Sequence, residues 1–152
     1  MASAAPASAS AGFVHVACPK CLAQNRVDAA RVLEAPKCGR CETPLLDESV
    51  VELDDASFDA FVARTSVPVL VDFWAPWCGP CRQMAPEFSR AARGLKGRAR
   101  LVKVNTDLSQ SLAGRFGIRS IPTLLLLKEG REVGRATGVR PADDLQDWVA
   151  SA

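Results

Sequence analysis

Six cysteines set as three C-x-x-C pairs, Cys18/Cys21, Cys38/Cys41 and Cys78/Cys81, constrain this 152-residue chain more than any other feature. Each pair can form a disulfide, carry redox chemistry or supply half of a metal site. The compartment narrows the choice. Residues 1–12 are almost pure Ala, Ser and Pro, with no Lys or Arg before Lys20 and no Leu, Ile or Val before Val14. A secretory signal needs a basic start followed by an apolar stretch, so this segment is expected to be a flexible tail and the chain cytoplasmic. In a reducing compartment three structural disulfides are disfavoured, which leaves metal binding and redox chemistry. No apolar run approaches the roughly 18 residues of a membrane span. A formal net charge of +2 gives no bulk attraction to nucleic acid or membrane.

The pairs sit in two different settings. Residues 13–48, which hold the first two, lack strong periodicity and are too few to bury a self-sufficient core. From about residue 49 to 152 the pattern alternates between strand and helix. Strands are predicted at Val50–Leu53, Val67–Trp74, Leu101–Val104 and Thr123–Leu127, with a hairpin partner at Glu132–Ala136 after the turn at Lys128–Gly130. Helices are predicted from Asp54 or Asp55 to Arg64, over Cys78–Leu95, Leu108–Phe116 and Pro141–Val149. Pro86 implies a kink in the second of these. The order implies an α/β fold, a central mixed sheet flanked by helices on both faces.

The third pair follows the near-continuous apolar run Val69–Trp74 and opens a helix. Residues three apart share a helix face, so the two sulfurs can meet. Cys78 falls where amide N–H groups are unpaired and the helix dipole is positive, both of which favour a thiolate. A thiolate can attack a disulfide, and a second thiol can resolve the mixed disulfide that forms. Pro80 suits the first helical turn because its missing N–H would find no partner there. The competing reading, half of a zinc site, is weak because the other four cysteines already pair with each other.

Cys18-Pro-Lys-Cys21 and Cys38-Gly-Arg-Cys41 are separated by 16 residues, the spacing of a zinc ribbon. Each C-x-x-C forms a knuckle with two thiolates, and two knuckles complete a tetrahedron. Four thiolates leave no open position, so one structural Zn2+ is expected, and its binding supplies folding energy to the module. Gly39 is expected to permit the turn of the second knuckle. His15, the only histidine, is not needed as a ligand.

The stretch from Val69 to Cys81, with Trp77-Cys78-Gly79-Pro80-Cys81 at its end, closely resembles the thioredoxin family over residues 49–152. The two N-terminal knuckles make it similar to the zinc-containing bacterial thioredoxin 2 subfamily; the Ala/Ser-rich tail departs from that pattern. The resemblance implies a thioredoxin fold behind a zinc-ribbon-like module. It implies that Cys78 and Cys81 are the redox pair, that Asp72 aids proton transfer to and from Cys81, and that Lys103 lies near Asp72 as its charge partner. Gly79 and Pro80 support the loop. Ser120-Ile121-Pro122-Thr123 matches a family loop with a cis proline facing the active site, where Ile121 and Pro122 offer backbone to an extended substrate. Trp77 and Gly138 match positions that a partner covers.

The implied activity is that of a protein-disulfide reductase maintaining cytosolic redox homeostasis. Its partners would be oxidised proteins and thioredoxin reductase. NADPH would belong to that reductase, since no Gly-rich dinucleotide fingerprint occurs here and no organic cofactor is expected. A monomer is expected. Two alternatives remain open from the residues. One is a redox-regulated chaperone in which oxidation expels zinc and unfolds residues 13–48. The other is a binding module carried on a thioredoxin scaffold. The few basic residues near the knuckles lack interleaved aromatics, which speaks against nucleic acid.

Overall fold

The computed structural model describes residues 12–152. The expectation of a flexible tail therefore lies outside the described residues except at Gly12, whose carbonyl accepts a bond from the Ala29 amide at 2.9 Å.

A hairpin occupies the stretch that lacked clear periodicity. Strand β1 (Phe13–Ala17) pairs antiparallel with β2 (Gln24–Asp28), and the first C-x-x-C forms the connection between them. A short 3-10 turn, Ala29–Arg31, follows, started by the Asp28 carboxylate accepting from the Ala30 amide. The second C-x-x-C closes a smaller turn held by a bridge between Lys37 and Pro44. Val16, Val27, Leu45 and Leu46 bury themselves among the cysteines, and Val67 joins them.

The remaining elements are β3 (Val51–Leu53), α1 (Phe58–Ala63), β4 (Val69–Trp74), α2 (Gly79–Gly94), β5 (Arg100–Asn105), α3 (Gln110–Arg115), β6 (Thr123–Lys128), β7 (Arg131–Thr137) and α4 (Ala142–Ser151). They build a five-stranded sheet in the order β3-β5-β4-β6-β7. The first three strands are parallel; β6 runs antiparallel to β4, and β7 antiparallel to β6. Central β4 is buried along nearly its whole length, which is why it reads as a continuous apolar run. Alternate residues serve opposite faces. Val71 and Phe73 pack with Phe58 and Phe61 of α1 and Leu112 of α3. Leu70 packs with Met84 and Phe88 of α2 and Leu145 of α4. The mixed sheet flanked by helices is thus the architecture expected, and α2 runs unbroken through Pro86.

Two boundaries moved for identifiable reasons. β4 begins at Val69 and not Val67. Val67 is used by the N-terminal module's apolar cluster, and Pro68, which has no N–H to donate, offers its carbonyl to the Arg100 amide at 2.9 Å. α1 begins at Phe58, because Asp54 spends its carboxylate organising the preceding turn through the Ala56 and Ser57 amides. Asp55 instead serves another helix, accepting from the Leu112 amide of α3 at 3.0 Å.

The N-terminal hairpin is seated on the connection between α1 and β4. The Ser66 amide donates to the His15 carbonyl at 2.8 Å, and Ser66 Oγ accepts from the His15 amide at 2.8 Å, adding a rung outside β1. Buried Thr65 accepts from the Ala17 amide and donates to the Phe61 carbonyl. Arg64 donates to the Leu22 carbonyl at 2.7 Å. Arg100, only 1% exposed, reaches the carbonyl and carboxylate of Asp47 in the connecting segment.

Candidate active site and metal centre

β4 points its C-terminal end at the loop Ala75–Cys78, and α2 starts immediately afterwards. Cys78 is the N-cap of α2 with extended backbone, and its sulfur accepts the Cys81 amide at 3.2 Å. Cys78 and Cys81 are joined in a disulfide with their Cα atoms 5.2 Å apart. Both are nearly buried, in a small cluster with Ala75, Trp74 and Ile121. Gly79 and Pro80 occupy the first helical turn between them, where Pro80 leaves no amide wanting a partner.

The loop before β6 closes over the pair. The Ile121–Pro122 bond is cis, and the Ile121 carbonyl lies 3.7 Å from Cys78 Sγ. The Pro122 carbonyl accepts from the Gly138 amide at 2.9 Å. Gly138 has φ of +89°, the left-handed region that glycine enters without steric cost, and the place its Cβ would fill is open. Trp77 is 67% exposed. Its indole N–H donates to both carboxylate oxygens of Asp107, at 3.2 and 3.0 Å, which fixes the ring beside Cys78. Sequence reasoning missed Asp107. Nothing local marks it, since it is an ordinary loop acid until the fold brings it to Trp77.

Asp72 lies on β4 with no exposed surface, and neither carboxylate oxygen has a hydrogen-bond partner. Burial pushes its proton affinity up, to a pKa of about 7, against the pull of Lys103 and with help from Glu52. Lys103 is the direct neighbour of Asp72 in the β4–β5 register. The expected pairing takes a looser form: the Lys103 ammonium sits 4.1 Å from the centre of the Trp74 ring and makes no close ion pair with Asp72. The long lysine side chain reaches past its neighbour to a ring that can hold a cation.

The four remaining cysteines converge. Their sulfurs all lie within 4.8 Å of one another. Cys18 Sγ is 3.5 Å from Cys41 Sγ, and Cys21 Sγ is 3.7 Å from Cys38 Sγ. A tetrahedron with metal–sulfur bonds of about 2.3 Å has edges of roughly 3.8 Å, so the cluster fits a tetrahedral thiophilic cation. The two knuckles share one backbone plan. Cys18 N–H bonds the Ala23 carbonyl while its own carbonyl takes the Leu22 amide; Cys38 does the same with Thr43 and Glu42. Amides of Lys20 and Cys21 point at Cys18 Sγ, and that of Arg40 at Cys38 Sγ. Burial opposes ionisation of Cys38, yet the Arg40 and Cys41 amides outweigh it and hold this thiol down at about 6. Cys41 is drawn down chiefly by the Thr43 hydroxyl.

The expectation for Gly39 is corrected. The left-handed residues of the knuckles are Leu22, with φ of 64°, and Glu42, with φ of 65°. That backbone costs a residue with a Cβ roughly 1–2 kcal/mol. Gly39 instead gives its amide to Asn25 Oδ1 at 2.9 Å, tying the second knuckle to β2.

A family model described as Thioredoxin matches residues 49–151. This chain belongs to the thioredoxin family. A second model, described as Thioredoxin 2, N-terminal, matches residues 17–43, the segment of the four clustered cysteines. The chain is 37% identical over 134 residues to Thioredoxin C-3 of Corynebacterium nephridii, covering 88% of this chain and 92% of that protein. It is 42% identical over 100 residues to thioredoxin of Haemophilus influenzae, covering 66% of this chain and 94% of that one. A solved structure of a mutant thioredoxin from Halobacterium salinarum superposes with a TM-score of 0.63 at 30% identity, over 68% of this chain and 90% of that one. With its disulfide-forming Cys78/Cys81 pair, the chain is a thiol–disulfide oxidoreductase. Among the described residues no helix is long and apolar enough to cross a membrane.

Proposed function

We propose that this chain is a general protein-disulfide reductase of the cytoplasm, with a thioredoxin domain at 49–152 behind a structural zinc module at 13–48. The observation that carries this reading is the Cys78/Cys81 pair at the start of α2, roofed by the Ile121 carbonyl and flanked by exposed Trp77. The exposed Trp77 ring beside the nearly buried sulfurs offers a flexible protein segment an apolar surface to dock on.

The cycle begins with the dithiol. Cys78 thiolate attacks one sulfur of a substrate disulfide; that bond breaks, the departing sulfur takes the electron pair, and a mixed disulfide forms. Cys81 then attacks Cys78 Sγ and expels the second substrate sulfur. Two electrons have moved from the dithiol to the substrate, and the enzyme is left as the disulfide. Asp72 accepts the Cys81 proton before this attack; a carboxylate that titrates near neutrality is suited to both accept and return a proton. The substrate lies extended along Ile121, Pro122 and Gly138, bonding their backbone as an added strand would, with Trp77 as its apolar flank. Thioredoxin reductase, drawing on NADPH, restores the dithiol. Zn2+ suits the four sulfurs because it favours tetrahedral thiolate sites and is not itself redox-active. Its chemistry here is structural, and the chain acts as a monomer.

Insulin reduction driven by NADPH and thioredoxin reductase tests the reading. The wild-type chain should turn over many times, and Cys78→Ser should fall to the uncatalysed background. Equal rates for the two would end the proposal.

A further inference from the structure

The register of the sheet sets three charged residues in one row. Glu52 of β3 lies opposite Lys103 of β5, and Lys103 lies opposite Asp72 of β4. Partners in register on parallel strands project to the same face. That face is the one covered by α2: the residues two before Asp72 and Lys103, Leu70 and Leu101, pack with Met84 and Phe88. The row therefore runs from the sheet's open edge to its centre, beneath the helix that carries Cys81. Its members differ in burial. Asp72 has no exposed surface, Lys103 is half-buried and Glu52 is exposed on an edge strand. Glu52 also lines a cleft of about 160 Å³ together with Asn105 and Ser109, which gives its carboxylate a wet boundary.

Lys103 is the only cation in the row, and two carboxylates flank it. Its ammonium is anchored on the Trp74 ring at 4.1 Å and is committed to neither acid by a close ion pair. A cation between two acids lowers the proton affinity of each while each acid raises the other's, and the fields of all three charges carry through the apolar strands far better than through water. The charged groups that act on Asp72 are Lys103 from β5 and Glu52 from β3, while β6 offers only Leu124; Cys81 of α2, in the dithiol form, is the proton partner assigned to it above.

We propose that Glu52 is a positioning residue for thiol–disulfide exchange. From the edge of the charged row its negative charge offsets part of the Lys103 field at the centre of the sheet, and so it tunes the proton-accepting group there. This role for Glu52 rests on the one proposed above for Asp72. It assigns work to a residue far from the sulfurs in sequence and on a different strand from either Asp72 or Lys103. The influence on Asp72 has the required sign: Lys103 draws its proton affinity down and Glu52 raises it. The two effects on Glu52 mirror this, with partial burial pushing its carboxyl up and Lys103 drawing it down.

The test follows Asp72 directly, by the pH dependence of its side-chain carboxyl carbon resonance in the full zinc-loaded chain, alongside the pH profile of insulin reduction. Glu52→Gln keeps the shape and removes the charge at an exposed site, so folding is preserved. Its expected effect is a fall of the Asp72 midpoint by about half a pH unit or more, with the acid limb of the rate profile moving the same way. Lys103→Met should move both in the opposite direction. An Asp72 midpoint identical in wild type and Glu52→Gln overturns the inference, as does a rate profile that stays put while the midpoint moves. The underlying reading of Asp72 fails separately: there, Asp72→Asn would leave the wild-type rate profile intact.

Discussion

Asp72 carries the clearest residue-scale consequence of the fold. Its side chain is wholly enclosed and neither oxygen is hydrogen-bonded, so ionising it inside the native protein costs free energy that the unfolded chain does not spend. Its folded pKa of about 7 lies above the unfolded value of 3.8. Between those two pH values the native state binds more protons than the unfolded state. Stability therefore falls as pH rises from about 4 to about 7 and levels off above that. Asp72→Asn should gain nothing near pH 4 and on the order of 4 kcal/mol at pH 8, because each pH unit between the folded and unfolded values is worth about 1.4 kcal/mol. Urea unfolding at both pH values measures this; a difference that is flat with pH contradicts it. A second expectation concerns Asp107, which holds the indole of Trp77 at 3.0 Å. Asp107→Ala should leave the melting temperature within a few degrees and raise KM for insulin several-fold, because the freed ring must be ordered again on binding. The redox pair itself was legible as a C-x-x-C opening a helix. Asp107 was not, because its role exists only once two loops meet.

At the scale of elements, the helices and all strands of the sheet but β7 could be read from periodicity because each has a face in one of two large cores, while β7, which buries no side chain, was marked by the turn before it. The β1–β2 hairpin could not. Its residues share their burial with cysteines and with Val67 from another element, so no apolar stripe of its own is written in the sequence. The segment Arg64-Thr65-Ser66 looks like a plain helix-to-strand connection, yet all three residues bond the N-terminal hairpin. Thr65→Val keeps the shape and removes the acceptor for the Ala17 amide, which is then buried without a partner. The expected cost is about 1–3 kcal/mol, read by denaturant unfolding, and unchanged stability would mean that the bond is replaced. Asp47 offers a parallel case. Its carboxylate is 42% exposed while the Arg100 side chain it meets is 1% exposed, so the pair is buried at one end only. Asp47→Ala should cost less than the loss of a fully buried partner, about 1–3 kcal/mol, because the Asp47 carbonyl still accepts from Arg100.

The whole molecule joins two units that draw their stability from different sources. The larger has two apolar cores around a five-stranded sheet. The smaller holds four sulfurs within 4.8 Å of one another, and a cluster of thiolates at that spacing repels itself unless a cation sits among them. Removing the metal with a chelator under reducing conditions should therefore melt residues 13–48 first. Amide exchange should become fast at Val16 and Val27, while Val71 and Leu125 stay protected. Equal loss of protection everywhere would show that the two units fold as one. At this scale the sequence reads through cysteine spacing and the change of periodicity near residue 49, and the seating of one unit on the other is invisible in it because it is made by backbone groups of His15, Ala17 and Leu22.

The proposed cycle requires that Cys78, and none of the other five cysteines, supplies the sulfur that attacks the substrate. Trapping tests this most directly: Cys81→Ser, reduced and mixed with an oxidised protein, is digested and its mixed disulfides are mapped by mass spectrometry. A stable link through Cys78 alone is expected, with Cys18, Cys21, Cys38 and Cys41 left as thiols. A substrate linked through any of those four, or no link at all, would contradict it.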